Sequence, residues 1–185
     1  MLPDRMVGSV ERDRCVLLTG PMGAGKSRVG RALASSLDWA FVDTDGEVER
    51  AAEMKIAEIF AREGEAGFRR RERAALAALP ERRCVVALGG GAVVADENRR
   101  LLAQKGVLVW LDAQPETLAA RIGAANERPL LAGLDDAARI AKLAALRAER
   151  ASAYGAASVR VETDARSVDE ICAEIRAALG HGAAA

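Results

Sequence analysis

Aromatic side chains are scarce in this chain: two Trp, one Tyr and three Phe make up 3% of its 185 residues. A surface that holds single-stranded nucleic acid needs rings for bases to stack on, and this composition argues against one. Net charge is missing as well, with 27 Lys plus Arg against 27 Asp plus Glu. No global positive field exists to gather a phosphate polymer or an anionic membrane face, although one local cationic site is compatible with that balance. Long apolar runs are absent. The longest uncharged stretch, Cys84 to Ala95, has 12 residues with three glycines, short of the roughly 18 that cross a bilayer. The N-terminal MLPDRMVGSVERDR is charged and lacks an apolar core, so it does not read as a secretion signal. Cys15, Cys84 and Cys172 are odd in number and show no C-x-x-C spacing. That fits buried thiols in a reducing compartment, not a disulfide frame or a zinc site. The single His181 sits in the tail HGAAA, without the ligand cluster a metal needs. These absences lead to the expectation of a cytoplasmic protein with no nucleic-acid or membrane partner.

What is present is an ordinary globular balance, 50% hydrophobic and 29% charged, at a length that suits one domain over residues 1–185. Residues 1–13 read as an N-terminal extension and 180–185 as a flexible tail. Short apolar runs at 15–19, 40–43, 84–88, 107–111 and 158–162 alternate with Ala/Leu/Arg/Glu-rich helical patterns at 26–37, 65–79, 97–104, 115–122, 136–153 and 167–179. Continuous apolarity within the short runs is the mark of parallel strands covered on both faces. Pro115 suits a first helical turn, and Ser167 with Glu170 matches a capping box. The alternation predicts βαβ units and an α/β fold, a parallel sheet with helices on both sides. Residues 123–135, GAANERPLLAGLD, break the rhythm. Their glycines, Leu130–Leu131 and a central Arg128 mark a candidate mobile lid, the alternative being an ordinary connection.

The segment Gly20-Pro-Met-Gly23-Ala24-Gly25-Lys26-Ser27 matches G-x-x-x-x-G-K-[ST] between a strand and a helix, the context this phosphate-binding motif requires. Glycines let successive backbone N–H groups turn toward phosphate oxygens, the helix N-terminus adds partial positive charge, Lys26 reaches the outer phosphates and the Ser27 hydroxyl suits Mg²⁺. The second strand ends in Asp43-Thr-Asp45, where carboxylates face the ligand crevice of an open α/β sheet. One could serve the metal's waters and the other a substrate hydroxyl; a plain helix N-cap is the alternative. In Phe68-Arg-Arg-Arg71-Glu72-Arg73 the four arginines cannot share one helix face, so most are solvated, and the pattern does not choose the one that reaches inward. Gly89, Gly90 and Gly91 make a wall without side chains against which a small ligand can lie, or else a simple turn. Arg150, four residues before Tyr154, is a candidate functional cation, the alternative being a helix-end cap.

Taken together, the P-loop, Asp43-Thr-Asp45, the Phe68-Arg69-Arg70 helix, Leu88-Gly-Gly-Gly91-Ala92, Asn126-Glu-Arg128-Pro-Leu-Leu131 and the Arg150/Tyr154 pair resemble the shikimate kinase family in order and interval, from Cys15 to Leu179. The resemblance implies a three-layer P-loop kinase with a five-stranded parallel sheet, helices on both faces and a mobile lid. It also implies ATP-dependent phosphorylation of the 3-hydroxyl of shikimate, with ATP and Mg²⁺ as cofactors; a monomer is expected. Carried over by position, Gly23, Ala24, Gly25, Lys26, Ser27 and Arg28 would hold the nucleotide, with Ser27 and Asp43 serving the metal. Asp45 would sit nearest the attacking oxygen, Arg69 and Arg150 would grip the acid's carboxylate, and Gly89, Gly90 and Gly91 would line the ring pocket. Lys26, Asp45 and Arg128 would be the catalytic groups, Arg128 closing on the phosphates. Arg121 and the loop 163–166, with Arg166, would border the adenine. Arg28 stands where the family usually has Thr, and Ala151-Ser152-Ala153 replaces the usual x-Pro-Leu before Tyr154. The alternatives are a P-loop kinase of another hydroxy acid such as gluconate, and a nucleotide-binding module without turnover.

Overall fold

The computed structural model describes residues 13–122, 131 and 133–181. Its five strands are β1 (Cys15–Thr19), β2 (Ala40–Asp43), β3 (Cys84–Ala87), β4 (Gly106–Asp112) and β5 (Val159–Glu162). They form one parallel sheet in the order β2-β3-β1-β4-β5. The helices are α1 (Lys26–Leu37), α2 (Thr44–Ala52), α3 (Ile56–Ala77), α4 (Asp96–Lys105), α5 (Pro115–Ile122), α6 (Asp136–Tyr154) and α7 (Val168–Ala178). Every expected strand and helix is present within a few residues, and α7 carries the capping box between Ser167 and Glu170. Two helical stretches lie outside the predicted helical ranges: α2, which follows the helix cap weighed as the alternative at Asp43, and the first part of α3 before Gly64.

Central strand β1 is buried along its whole length, and its residues alternate between two cores. Val16 and Leu18 pack with Leu33 of α1 and Ile171 and Ile175 of α7. Cys15 and Leu17 pack on the other face with Leu76 of α3 and Leu102 of α4. This is the doubly covered sheet that continuous apolar strands demand. Helix α6 bridges the two layers, with Leu143 in the first core and Tyr154 in the second. A third, much smaller cluster of Val48, Ile59 and Phe68 holds α2 against α3.

The strand order decides where a ligand can bind. From β1 the chain passes over β3 to reach β2, and from β3 it passes back over β1 to reach β4. The carboxyl ends of β1 and β3 therefore flank the switch point at which open α/β sheets bind ligands. The P-loop leaves β1 and the glycine wall leaves β3, so both sequence motifs meet there. Among the described residues, no helix is long and apolar enough to cross a membrane. All three cysteines are buried and free. His181, expected in a loose tail, stacks edge-on against Trp39 with ring centroids 5.3 Å apart.

Candidate active site

The loop between β1 and α1 curls as its glycines allow. Gly25 is the N-cap of α1 at φ 93°, ψ 13°, a left-handed conformation that costs glycine little. Ala24 behind it is buried, and Gly23 also has positive φ. Lys26 folds back over this loop, its Nζ donating to the carbonyls of Gly20 at 2.8 Å and Pro21 at 3.0 Å. The Ser27 hydroxyl donates to Asp43 Oδ2 at 2.6 Å, so the first turn of α1 and the end of β2 share one oxygen-rich spot. Arg28 is exposed.

Asp43 does two jobs. Its Oδ1 accepts the backbone N–H of Asp45 at 3.2 Å, capping α2, while Oδ2 takes the Ser27 proton. The helix-cap reading of the motif therefore holds at Asp43, with its second oxygen turned to Ser27. Thr44 between the two acids is buried. Its Oγ1 donates to Ala87 O at 3.3 Å and accepts Gly89 N–H at 2.9 Å, stitching β2 to the start of the glycine wall. Asp45 lies directly over that wall: a Cβ at Gly89 would stand 2.5 Å from Asp45 Oδ1 and 3.4 Å from Glu72 Oε1.

Of the four arginines at 69, 70, 71 and 73 in α3, the structure selects Arg69. A Cβ at Gly91 would lie 3.0 Å from its Nη1. Arg70 is exposed, Arg71 forks onto Glu63 at 2.7 to 3.1 Å, and Arg73 pairs with Glu97 at 2.7 Å. The break at Gly64 (φ 66°, ψ −174°) splits α3 and lets the Arg71 fork close back over it. Arg69 is held by Glu72 at 3.0 Å and Glu65 at 3.2 Å. Glu72 is 2% exposed. Burial pushes its carboxyl above the usual range, Arg69 and more weakly Arg150 oppose that, and Asp45 adds to the rise. Its place one turn after Arg69 was a readable signal, since i,i+3 partners meet on a helix.

On the opposite side, Arg150 of α6 donates from Nη1 to Gly90 O at 3.1 Å, and the Tyr154 hydroxyl donates to the same oxygen at 2.8 Å. Arg69 and Arg150 therefore approach neighbouring glycines of one wall. Behind it, Asn98 of α4 holds Ala92 O at 2.8 Å and Arg99 holds Val93 O at 2.6 Å. These two supports were not legible beforehand. Arg121 of α5 donates to Thr163 Oγ1 at 2.8 Å and Thr163 O at 2.5 Å, which ties α5 to the loop 163–166. Arg166 is engaged by Glu162 O at 3.1 Å, Glu170 O at 3.2 Å and the Glu174 carboxylate. In this arrangement it fixes its loop to α7. Arg128 and most of the expected lid 123–135 lie outside the described residues.

The site thus joins a phosphate cradle, a hydroxyl–carboxylate pair, and a glycine wall with a carboxylate and two guanidinium groups around it. A family model described as shikimate kinase matches residues 22–180. A shikimate kinase of Symbiobacterium thermophilum is 49% identical over 163 residues, 86% of this chain and 92% of that protein. One from Moorella thermoacetica is 41% identical over 165 residues, 89% of this chain and 93% of that protein. The structure of shikimate kinase from Acinetobacter baumannii in complex with shikimate superposes with a TM-score of 0.83 at 35% identity, covering 93% of this chain and 96% of that one. A family match from Met22 to Gly180, which takes in Lys26, Ser27, both acids and both arginines, leaves one assignment: the chain belongs to the shikimate kinase family.

Proposed function

We propose that this enzyme transfers the terminal phosphoryl group of ATP to the 3-hydroxyl of shikimate, releasing ADP and shikimate 3-phosphate. The observation that carries the reading is the pair Arg69 and Arg150 at adjacent glycines of one wall, with the Asp45 carboxylate against the same wall. A compact polyol with a single carboxylate fits that arrangement. Guanidinium groups grip the acid end and fix its orientation as well as its charge, and Asp45 takes a ring hydroxyl at the other end.

Phosphoryl transfer is chiefly positioning and charge neutralisation. The backbone N–H groups from Gly23 to Ser27 hold the phosphates, Lys26 exchanges its loop carbonyls for phosphate oxygens, and Arg128 adds a cation on closure. Asp45 orients the attacking hydroxyl and accepts its proton as the new P–O bond forms. Ser27 Oγ and Asp43 Oδ2, 2.6 Å apart, are hard oxygen donors of the kind Mg²⁺ takes. Among the described residues, no group of three or more His, Cys, Asp or Glu could hold a metal, which suits an ion bound mainly by substrate phosphates and water. Bound there, Mg²⁺ would neutralise the phosphate oxygens; Ser27 would ligate it directly and Asp43 through water.

The test is ADP release with shikimate, quinate and gluconate as acceptors, run on the parent chain and on Arg69→Ala. Shikimate should dominate, and Arg69→Ala should raise the KM for shikimate at least tenfold while the KM for ATP changes less than twofold. Equal effects on both KM values would remove Arg69 from the acid site. Preference for gluconate would assign the chain another acceptor.

A further inference from the structure

The middle of α6 is attached to the sheet by charge. Its buried residues are Leu143 and Tyr154, each in a different core. Between them stand Arg147 and Arg150, one turn apart. Arg147 forks onto Asp112 at the carboxyl end of β4, Nε to Oδ1 at 2.8 Å and Nη2 to Oδ2 at 2.7 Å. Asp112 is 1% exposed and is saturated with donors. Arg160 of β5 reaches Oδ2 at 2.8 Å, and the backbone N–H of Ala113 reaches Oδ1 at 3.0 Å. Burial alone would raise this carboxyl, but Arg147 and then Arg160 outweigh it and hold the group below the usual carboxylate range.

Arg150 has far less to hold it. It donates to Gly90 O and interacts with the Tyr154 hydroxyl of its own helix. Among the described residues, its buried Nε has no partner and no carboxylate forks onto it as Asp112 does onto Arg147. The helix, more than the side chain's own contacts, therefore decides where this guanidinium lies. A bidentate fork fixes angle as well as distance, so Arg147 on Asp112 sets the height and rotation of the turn that carries Arg150.

We propose that Asp112 and Arg147 are positioning residues for the acceptor: they fix the turn of α6 from which Arg150 reaches the substrate carboxylate, and so govern affinity for the acid and not for the nucleotide. This rests on the reading of Arg150 given above. An error of about 1 Å in a positioning group is enough to cost a large factor.

The experiment measures equilibrium binding of shikimate, both KM values and Tm for Arg147→Met, Asp112→Asn, Arg160→Gln, Arg150→Ala and the double variant Arg147→Met/Arg150→Ala. Arg147→Met and Asp112→Asn should each weaken shikimate binding about tenfold with the KM for ATP within twofold. Arg160→Gln perturbs the same carboxylate from β5, which carries no acid-binding group, and should lower Tm while leaving shikimate binding within twofold. In the double variant the Arg147 change should add nothing, because its effect passes through Arg150. Full additivity, equal loss from Arg160→Gln, or unchanged shikimate binding in Arg147→Met and Asp112→Asn would overturn the proposal. If Arg150→Ala itself binds shikimate normally, the reading of Arg150 fails and the proposal falls with it, a result distinguishable from the others.

Discussion

Replacing Gly89 by Ala tests how closely Asp45 must be placed. The added methyl would stand 2.5 Å from Asp45 Oδ1, about 0.9 Å inside an ordinary van der Waals contact. Glu72 Oε1, at 3.4 Å, already touches the same point and closes off that direction. Asp45 must therefore swing its carboxylate off the wall by most of an ångström. Its own backbone is held by Asp43 at the start of α2, so the movement falls on the side chain. A displacement near 1 Å in a group that orients the reacting hydroxyl costs on the order of 100-fold. Gly89→Ala should lower kcat for shikimate by about that factor, with the KM for ATP within twofold. Gly89 does not have a left-handed φ, so the alanine backbone is unstrained, and Tm should stay within about 4 °C of the parent, the scale of 1 kcal/mol in a chain of this size. Coupled ADP-release kinetics and a thermal melt measure both. A variant that retains kcat within threefold would show that the Asp45 carboxylate need not sit against the glycine wall.

Two buried carboxylates should give opposite pH behaviour in thermal melts. Asp112 is held low by its arginines, so its stabilisation is complete above the ordinary value near 4 and fades as pH falls through its folded value; the Tm deficit of Asp112→Asn should shrink in acid. Glu72 is held high by burial, so the folded chain binds its proton more readily than the unfolded chain. Stability is then lost as pH rises from about 4.3 through the folded value, and the Tm of Glu72→Gln relative to the parent should climb over that window. A parallel pH dependence for both variants would contradict the assigned causes. Gly64→Ala should lower Tm by several degrees, because φ 66°, ψ −174° is a region open almost only to glycine, at roughly 1 to 3 kcal/mol for other residues. With nothing within 4 Å of the added methyl, an unchanged Tm would mean that the chain straightens there without cost.

Much of this arrangement is legible in the residue order because its signals are local. The apolar run at 15–19 followed by glycines and Lys26-Ser27 specifies strand, loop and helix within a dozen residues, and each lies where the pattern places it. Helix α2 escaped because Gly46 and four acidic residues among Thr44–Ala52 and its N-cap obscure helical periodicity, and because Asp43 and Asp45 read first as ligands. The choice of Arg69 over Arg70, Arg71 and Arg73 depends on the rotation of α3 after its break at Gly64, which spacing alone does not specify. Asp112 was invisible for a different reason. Its partners Arg147 and Arg160 lie 35 and 48 positions away, and only the folded sheet brings them together.

The two halves of the site rest on very unequal foundations. The P-loop hangs from β1, hydrogen-bonded on both sides and sealed in two cores. Arg69 rides on α3, which Leu76 ties to the second core but whose first half and α2 are joined through a small cluster of buried apolar residues, Val48, Ile59 and Phe68. Regions with little buried apolar surface open locally at a fraction of the global free energy. Amide protons around α2 and early α3 should thus exchange by sub-global opening while those of β1 wait for complete unfolding, and mild denaturant should abolish acid recognition while the nucleotide cradle persists.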